Sequence, residues 1–535
     1  MWISALLRIK RHAVSKHPFS SSWSMIMPGN IDVYNVPYYA ELSDICELYI
    51  LRKYTCENSL KSMRIAVALL NTSASVSLGK ENFKNEKHDP HGGILNKEQT
   101  IRRRQTIAYK LHNGRIVSLS NEIPEGTEVK NIPAGSGEGR AIYRRGLILA
   151  LDQAVKRKYP GSQLWVEHSI SLGYRCRLIN RPDMTSEEIV KRLTWELQRI
   201  VEEAIPIETV KYDTEDTDDL PEEFLELLSW SSGKRAIRGN RLCDSCAFAM
   251  GPSVPDTSWL TKWELKPLER DFVLRFPGSA SWPEIDVWIP RKKLNREFDL
   301  EEKHIARMGV QNIDQLNRRI EEDGGRQLVI MSHFYQTYRM VQIVQQLKKH
   351  FPARRIITIA GPSSSGKTTF AGLLRTYLVA QGFGARVINV DNYFRNRSET
   401  PLDSRGEPDF ECLGAIHTEM FGEHLGILME GNEIRMPLFD FHAGERHDNH
   451  TPLRLAENEF LLVEGIHGLN DALTPGIAPE SKFRIYASAL TQLNIDRITR
   501  MSTSDSRLVR PTGGRREQQG SSAEKTIAVW PSVKR

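Results

Sequence analysis

The sequence predicts an α/β fold, with a doubly wound parallel sheet in the C-terminal part of the chain and an α+β region before it. Four short apolar runs, which alternate with segments of helical periodicity, support the parallel sheet; they lie at residues 356–360, 385–390, 459–463 and 483–488. This alternation is typical of parallel strands covered by helices. The α+β region is predicted because two strands stand between two helical patterns over residues 143–204.

The elements of the α+β region each have a local signal. Residues 143–156 place leucine and alanine at helical spacing, and residues 164–170 and 174–179 form two strands. Thr185 and Glu188 have the spacing of a capping box, which opens a helix with one apolar stripe. Beyond this region, short strands separated by prolines are expected between about 240 and 330, and a helix follows at residues 333–349.

Composition limits the functional classes. The chain has 535 residues, enough for several domains, with 40% hydrophobic and 26% charged residues, as in ordinary globular proteins. No apolar run approaches the roughly 18 residues of a membrane span, so no membrane association is expected. A net charge of +6 suits phosphorylated ligands but is too small to predict a nucleic-acid partner. Six scattered cysteines do not form a disulfide framework, which favours a reducing compartment.

The N-terminus is basic. Asp32 is the first acidic residue, and Arg8, Lys10, Arg11 and Lys16 precede it. A mitochondrial transit peptide has this composition, but so do a disordered basic leader and a misassigned start, and all three interpretations stay open. We predict a cytoplasmic protein, with the mitochondrion as the alternative.

Four regions are predicted along the chain. Residues 1–105 form a poorly structured leader and linker, and residues 106–235 form the α+β domain. A middle α+β segment follows at 236–332. Residues 333–535 form the domain with the parallel sheet. The sequence leaves the oligomeric state open, with a homo-oligomer as one option.

A phosphate-binding motif lies in the last region. Gly361–Thr368 fits G-x-x-x-x-G-K-[ST], the Walker A pattern of a P-loop NTPase, and it stands between a β-branched strand and a helical pattern. Backbone N–H groups of such a loop bind phosphate oxygens, the lysine neutralises the β- and γ-phosphates, and the threonine hydroxyl ligates Mg²⁺. The predicted ATP-binding residues are Gly361, Ser363, Ser364, Ser365, Gly366, Lys367, Thr368 and Thr369.

Two acidic residues follow strands of the predicted sheet. Asp391 comes after the strand 387–390, and Glu464 after the apolar strand 460–463. The carboxyl ends of parallel strands face the ligand, so Asp391 is placed to take a proton from a hydroxyl group or to hold Mg²⁺. An acid after an apolar strand is typical of a Walker B site, which makes Glu464 a predicted magnesium ligand.

The order of these motifs resembles the uridine kinase and phosphoribulokinase family over residues 356–500. The segments that carry the resemblance are GPSSSGKTTF (361–370), VDNYF (390–394), TPLDSRGEPDFECLGAI (400–416), MPLFDFHAGER (436–446), LLVEGIHGLN (461–470) and KFRIYASALTQLNID (482–496). The resemblance implies a transferase that uses ATP and Mg²⁺ to phosphorylate a nucleoside, uridine or cytidine, at its 5′-hydroxyl in pyrimidine salvage.

The resemblance also implies roles for single residues. Asp391 matches the catalytic base, with Lys367 as the second catalytic residue, and Asp409 matches the acid that holds the ribose hydroxyls. Phe439 and Phe441 match the aromatic positions around the base. Thr368 and Glu464 match the magnesium ligands, and Arg507 stands where the family has an arginine of a lid over the phosphates.

The match is closest to long members of this family, in which a region similar to threonyl-tRNA synthetase precedes the kinase. The segments YRRGLILAL (143–151), VEHSISLGYRCRL (166–178) and WELKPLERDFVLRFP (263–277) carry it. Residues 106–235 resemble the synthetase's second additional domain. His168 matches one histidine of its editing site, but position 172 is Leu, so His168 is expected to be structural and no editing is predicted.

Two departures from the family leave alternatives open. Residues 511–519 (PTGGRREQQ) replace the basic and apolar pattern of the lid, and the chain stops where the family continues into a final strand and helix, as a C-terminally truncated domain would. A kinase for another small hydroxyl acceptor, such as ribulose 5-phosphate, is therefore one alternative. A nucleotide-binding regulatory protein with little turnover is the other.

Overall fold

The structure is a computed structural model that describes residues 106–501, apart from short gaps. The gaps are residues 171–172, 214–220, 222–223, 225–235, 279–280, 291, 364, 404–405, 407, 442 and 489–492. The predicted leader at 1–105, Ser364, Arg507 and the altered segment at 511–519 lie outside the described residues.

The first half of the described chain is an α+β arrangement. Its elements are β1 (Thr106–Leu111), β2 (Ile116–Ser118), β3 (Val129–Pro133), α1 (Gly137–Lys158), β4 (Gln163–Ile170), β5 (Gly173–Ile179), α2 (Ser186–Glu202), β6 (Glu208–Asp213), β7 (Ala236–Leu242), β8 (Ser245–Phe248), β9 (Glu264–Leu268) and β10 (Asp271–Arg275). The strands pair antiparallel in the orders β2-β1-β3, β4-β5-β10-β9 and β6-β7-β8.

Helices α1 and α2 share one core with the four-stranded sheet. Leu147 and Leu151 of α1 and Leu193 of α2 are fully buried there. The predicted capping box is present: the Thr185 hydroxyl accepts from the N–H of Glu188, and the Glu188 carboxylate accepts from the N–H of Thr185. Helix α2 therefore begins at the capping box that the sequence predicts.

The four-stranded sheet takes strands from both sides of the predicted boundary at residue 235. Strand β10 pairs with β5, with Phe272 opposite Cys176, and β9 pairs with β10. Phe272 and Cys176 both lie in the core of this sheet. The predicted middle segment thus supplies half of a sheet whose other half precedes it by about 90 residues of sequence.

Three helices connect this sheet to the C-terminal part: α3 (Lys292–Arg307), α4 (Ile313–Asp323) and α5 (Arg326–His350). The middle segment was predicted to be α+β, but the sequence located only its strands and did not place α3 and α4. Both helices are strongly charged, and α3 buries only Phe298, so apolar residues give them a weak signal. Among the helices that the structure describes, none has the length and apolarity that crossing a bilayer would require.

The C-terminal part is a doubly wound parallel sheet, as predicted. Its elements are β11 (Ile356–Ala360), α6 (Lys367–Ala380), β12 (Gly384–Asn389), α7 (Thr418–Met429), β13 (Glu433–Asp440), β14 (Glu445–Arg454), β15 (Glu459–Glu464) and β16 (Lys482–Tyr486). The strand order is β12-β15-β11-β16, all parallel. Residues of α5 and α6 share one core with β11, and those of α7 share another core with the same sheet.

An antiparallel ribbon, β13 and β14, stands apart from the parallel sheet. This hairpin was not predicted, although its first strand contains most of the Met436–Phe441 aromatic segment. Phe439 is buried in the core that contains α7, and Phe441 follows the end of β13. The ribbon therefore brings the predicted aromatic residues beside the helical side of the sheet.

Residues 493–501 return from the parallel sheet to the α+β part. The N–H of Val166 in edge strand β4 donates to the carbonyl of Arg497 at 3.0 Å, and the Asn494 amide donates to the Val166 carbonyl at 2.7 Å. The Arg497 guanidinium also donates to the Leu164 carbonyl at 2.9 Å. This returning segment adds hydrogen bonds to an edge that would otherwise lack strand partners.

Candidate active site

The Gly361–Thr368 loop connects β11 to the first turn of α6. Gly366 has a φ of 93°, a left-handed conformation that suits glycine, and Lys367 is the first residue of the helix. No side chain caps this helix, and its first turn contains no acidic residue. The N–H groups and positive end of the helix dipole are therefore available to an anion, as phosphate binding requires.

Gly361 lies against the end of strand β16. A Cβ added to it would lie 1.9 Å from the Ala487 carbonyl oxygen and 2.8 Å from the Ser365 hydroxyl. The Ala487 N–H also donates to the Ala360 carbonyl at 2.6 Å, which fixes the two backbones together. Only glycine fits here without moving the backbone.

Gly361→Ala is expected to weaken ATP binding at least tenfold, because the displaced loop no longer presents its N–H groups together. Equilibrium titration with a fluorescent ATP analogue measures this. Gly372→Ala is the matched control: its added Cβ meets no atom within 4 Å on exposed α6, and alanine should stabilise the helix by about 0.5–1 kcal/mol. Unchanged nucleotide affinity in Gly361→Ala would show that the loop does not bind the phosphates.

Lys367, Thr368 and Glu464 meet at the carboxyl end of the sheet. The Thr368 hydroxyl donates to a Glu464 carboxylate oxygen at 3.0 Å. The Lys367 ammonium lies 4.0 Å from the other oxygen of Glu464 and 3.5 Å from the Pro362 carbonyl. These long contacts leave the ammonium donors of Lys367 able to turn to a phosphate.

The donor set around Glu464 fits a magnesium ion. Glu464 is 2% exposed, and burial raises the pKa of its carboxyl, as does the neighbouring Asp391 carboxylate, while Lys367 lowers it. The buried Glu464 carboxylate and the half-buried Asp391 carboxylate repel one another, and with the Thr368 hydroxyl they offer the oxygen ligands that Mg²⁺ prefers. Thr368 and Glu464 would hold the ion, with Asp391 as the further predicted ligand, and the ion would neutralise phosphate charge.

Asp391 lies in a 3-10 turn, Val390–Tyr393, directly after β12. The Asn389 side chain accepts from the Asp391 N–H at 2.9 Å, which fixes the start of the turn. Asn389 is paired with Glu464 in the parallel register, so Asp391 and Glu464 leave adjacent strands at the same edge. Burial raises the pKa of the Asp391 carboxyl, and the nearby charges of Lys367 and His467 oppose this rise.

Asp409 lies in the loop that passes in front of the P-loop. Its carboxylate accepts from the Glu411 N–H at 3.1 Å, and its own N–H donates to the Pro401 carbonyl at 2.7 Å. The Ser363 hydroxyl of the P-loop donates to the Glu411 carboxylate at 3.2 Å. This contact holds the loop that contains Asp409 next to the P-loop. The Asp409 carboxylate itself accepts a hydrogen bond from within its own turn.

Aromatic rings gather around Phe394, three residues after Asp391. The centroid of Phe394 lies 5.5 Å from that of Phe439 and 6.2 Å from that of Phe441, and Phe439 and Phe441 are 5.0 Å apart. Phe410, beside Asp409, lies 5.8 Å from Phe394. Phe439 is 5% exposed and Phe441 is 59% exposed, so Phe441 is the ring more accessible to a ligand.

Ser365 and Thr369 are the remaining predicted ATP-binding residues that the structure describes. Ser365 is buried, and its hydroxyl finds no hydrogen-bond partner among the described residues. Thr369 is exposed in the first turn of α6. Ser364 and the lid residue Arg507 cannot be placed, because both lie outside the described residues.

His467 received no role from the sequence, although it stands in the quoted LLVEGIHGLN segment. Its Nε2 atom is buried and has no hydrogen-bond partner in the described part of the chain. Its charge acts on Asp391, the predicted base. The only signal in the sequence was its position three residues after Glu464, which is too general to assign a function.

His168 lies away from this site, in strand β4. It is fully buried, and its ring stacks on Phe298 of α3 with centroids 3.9 Å apart. Burial and the charges of Arg175 and Arg500 lower its pKa to about 3, so the ring is neutral at physiological pH. This packing agrees with the structural role that we expected for His168.

Residues 356–504 match the model of the Phosphoribulokinase / Uridine kinase family. The chain is 33% identical over 116 residues to a uridine kinase of Halobacterium salinarum, an alignment that covers 22% of this chain and 49% of that protein. It is 36% identical over 86 residues to a uridine kinase of Deinococcus deserti, covering 16% of this chain and 41% of that protein. The chain spans about half the length of these curated relatives, or less.

Solved structures give lower overall similarity. A possible uridine kinase from Bacillus stearothermophilus matches 28% of this chain and 80% of its own, at 19% identity and a TM-score of 0.25. A D-glycerate 3-kinase from Cryptococcus neoformans matches 25% and 52%, at 21% identity and a TM-score of 0.20. The family match covers the C-terminal region alone, and the resemblance of residues 106–235 to threonyl-tRNA synthetase stays a prediction.

Proposed function

We propose that the protein transfers the γ-phosphoryl group of ATP to the 5′-hydroxyl of a nucleoside, uridine or cytidine, and so acts in pyrimidine salvage. The observation that carries the proposal is the meeting of Lys367, Thr368 and Glu464 at the sheet edge from which Asp391 also emerges. The family match over residues 356–504 supports the same reaction class.

The chemistry follows from what each group offers. The loop N–H groups and Lys367 would bind the β- and γ-phosphates, and the bound ion would neutralise charge on them. The Asp391 carboxylate would accept the proton of the attacking hydroxyl, and its raised pKa makes it a better base than an exposed aspartate. Phosphoryl transfer needs little covalent help, so positioning and charge supply most of the rate.

Binding of the acceptor is assigned to the aromatic residues around Phe394 and to Asp409. Phe441, the exposed ring of the aromatic group, would contact the base, and Phe439 would support it from the core. Asp409, held near the P-loop through the Ser363–Glu411 contact, would accept from the ribose hydroxyls. An aromatic surface and a carboxylate favour a nucleoside over a sugar phosphate, whose phosphate group would be repelled by the Asp409 carboxylate.

A panel of acceptors tests this proposal. Purified full-length protein with ATP and Mg²⁺ is given uridine, cytidine, adenosine, ribulose 5-phosphate and glycerate in separate reactions, and products are resolved by chromatography. We expect uridine or cytidine 5′-monophosphate at the highest kcat/KM. Turnover of ribulose 5-phosphate or glycerate alone would support a kinase but contradict the assignment of a nucleoside as its substrate. ATP binding without any product would favour a regulatory protein.

A further inference from the structure

Four arginines gather at the N-terminal sheet, and none of them lies on an element that carries the residues assigned to phosphoryl transfer. Arg140, Arg144 and Arg145 lie on α1, and Arg500 lies in the segment that returns from the kinase-like domain. We call these four residues the arginine cluster. They come from distant parts of the sequence and meet because residues 493–501 lie along β4.

Aromatic rings lie between the guanidinium groups. The Arg144 guanidinium lies 5.6 Å from the ring centroid of Phe276, and the Arg500 guanidinium lies 5.8 Å from that of Tyr174. The Tyr174 and Phe276 rings are themselves 5.0 Å apart. Phe276 is buried and Tyr174 is half-buried. The two rings lie next to one another, with Arg144 beside Phe276 and Arg500 beside Tyr174.

Neutral groups hold these arginines in place. The Arg145 Nε donates to the Pro252 carbonyl at 2.8 Å, and a Cβ on Gly251 would lie 3.0 Å from its guanidinium. The Arg500 guanidinium donates to the Ser169 hydroxyl at 2.8 Å, but its Nε is buried without a hydrogen-bond partner among the described residues. A buried guanidinium N–H without a partner is costly and indicates a missing acceptor.

No member of the arginine cluster forms an ion pair with a carboxylate in the part of the chain that the structure describes. Nearby arginines differ in this respect, since Arg175 pairs with Glu167 and Asp271. Burial lowers the pKa of Arg145 to about 10 and also that of Arg500, and the charge of Arg144 lowers both further. The cluster is thus a set of like charges that repel one another.

We propose that the arginine cluster binds a small phosphorylated molecule, with the guanidinium groups of Arg144, Arg145 and Arg500 holding its phosphate oxygens. Guanidinium groups bind phosphate through paired, charge-assisted hydrogen bonds, and a dianion would cancel the repulsion within the cluster. The half-buried position favours a small molecule over a nucleic-acid backbone, which binds to exposed basic surfaces. This proposal does not depend on the kinase reaction.

Calorimetric titration of the full-length protein with inorganic pyrophosphate tests the proposal. Two sites are expected in the wild type, the P-loop and the arginine cluster, and one in Lys367→Ala, which weakens the P-loop site. In the Lys367→Ala background, Arg144→Ala and Arg500→Ala should each weaken the remaining site at least tenfold. Arg144→Lys should bind better than Arg144→Ala, and Arg192→Ala, an exposed arginine on α2, should change nothing.

Three outcomes would overturn the proposal. Unchanged pyrophosphate binding in both cluster variants, with a cooperative thermal transition to show that they fold, would place any second site elsewhere. The cluster of the wild type could also fail to bind pyrophosphate while the cluster variants unfold at a lower Tm. This result would show that an acidic group of this chain already occupies the cluster. Binding of a single-stranded RNA that requires Arg144 and that pyrophosphate does not displace would identify a nucleic-acid surface instead.

If Lys367→Ala alone leaves both sites intact, the P-loop assignment fails and the cluster stands.

Discussion

Asp391→Asn is expected to lower kcat by a factor of about 10²–10⁴ while ATP affinity changes little. The amide has the same shape as the carboxylate but cannot accept the proton of the attacking hydroxyl. The Asn389 side chain would still accept from the N–H of residue 391, so the turn should keep its geometry. Steady-state kinetics and nucleotide titration on the same preparation measure the two effects separately.

Asp183→Asn is the control for this experiment, because Asp183 is an exposed aspartate of the N-terminal part. It should leave both kcat and ATP affinity unchanged. A kcat of Asp391→Asn within threefold of the wild type would contradict the assignment of the base. A large loss of ATP affinity would instead indicate that Asp391 acts mainly on the nucleotide or its ion.

The pH dependence of the wild type gives a further check on Asp391. Only the ionised carboxylate can act as base, and burial raises the pKa at which it ionises. Activity should therefore be complete above this raised pKa and fall as the pH decreases through it. The fall should occur at a higher pH than the pKa of an ordinary aspartate, which is near 3.9. The acid limb of the kcat profile reports this value in the enzyme–substrate complex.

Asp496→Ala is expected to be the most destabilising single substitution proposed for the returning segment. The Asp496 carboxylate is buried and accepts from three backbone N–H groups: those of Phe248 at 2.8 Å, Ile498 at 2.9 Å and Thr499 at 2.5 Å. Alanine leaves these donors unpaired, at a cost of about 1–3 kcal/mol for a buried donor. We expect the free energy of unfolding to fall by roughly 3 kcal/mol or more.

Asp496→Asn separates the loss of acceptors from the loss of charge. The asparagine retains one carbonyl oxygen, so it should cost less than alanine. Thermal unfolding followed by circular dichroism gives the order wild type, Asp496→Asn, Asp496→Ala in decreasing Tm. Equal Tm values for Asp496→Ala and the wild type would show that residues 493–501 do not hold the two parts of the chain together.

The predicted parallel sheet agrees closely with the structure, because its two central strands are short, strongly apolar runs beside turn signals. The run at Ile356–Ala360 is fully buried, and so is that at Glu459–Glu464, so their patterns are unambiguous. Helices α3 and α4 were missed because their stability comes from a few tertiary contacts, such as Phe298, rather than from a wide apolar face. Long-range pairing, such as that between β5 and β10, leaves no local signal at all.

The candidate site also combines residues that the sequence predicts with contacts that it does not predict. Walker A spacing and acids at strand ends predicted roles for Lys367, Thr368, Asp391 and Glu464, because each chemical role requires a residue type at a fixed position after a strand. The Ser363–Glu411 contact and the buried Nε2 of His467 depend on how loops fold back on the sheet. The arginine cluster needs two segments that are 355 residues apart, from Arg145 to Arg500, and sequence spacing alone does not predict that they meet.

A single-turnover experiment tests the central claim, that the P-loop edge of the sheet transfers a phosphoryl group to a nucleoside. Excess full-length protein is mixed with Mg²⁺, uridine and ATP labelled in its γ-phosphate, and the labelled products are followed over time. The account predicts that the label passes to the 5′-position of the nucleoside in the wild type, and that Asp391→Asn binds the ATP but transfers at least 100-fold more slowly. Label that stays on bound ATP, or that is released as free phosphate at equal rates in both proteins, would contradict it.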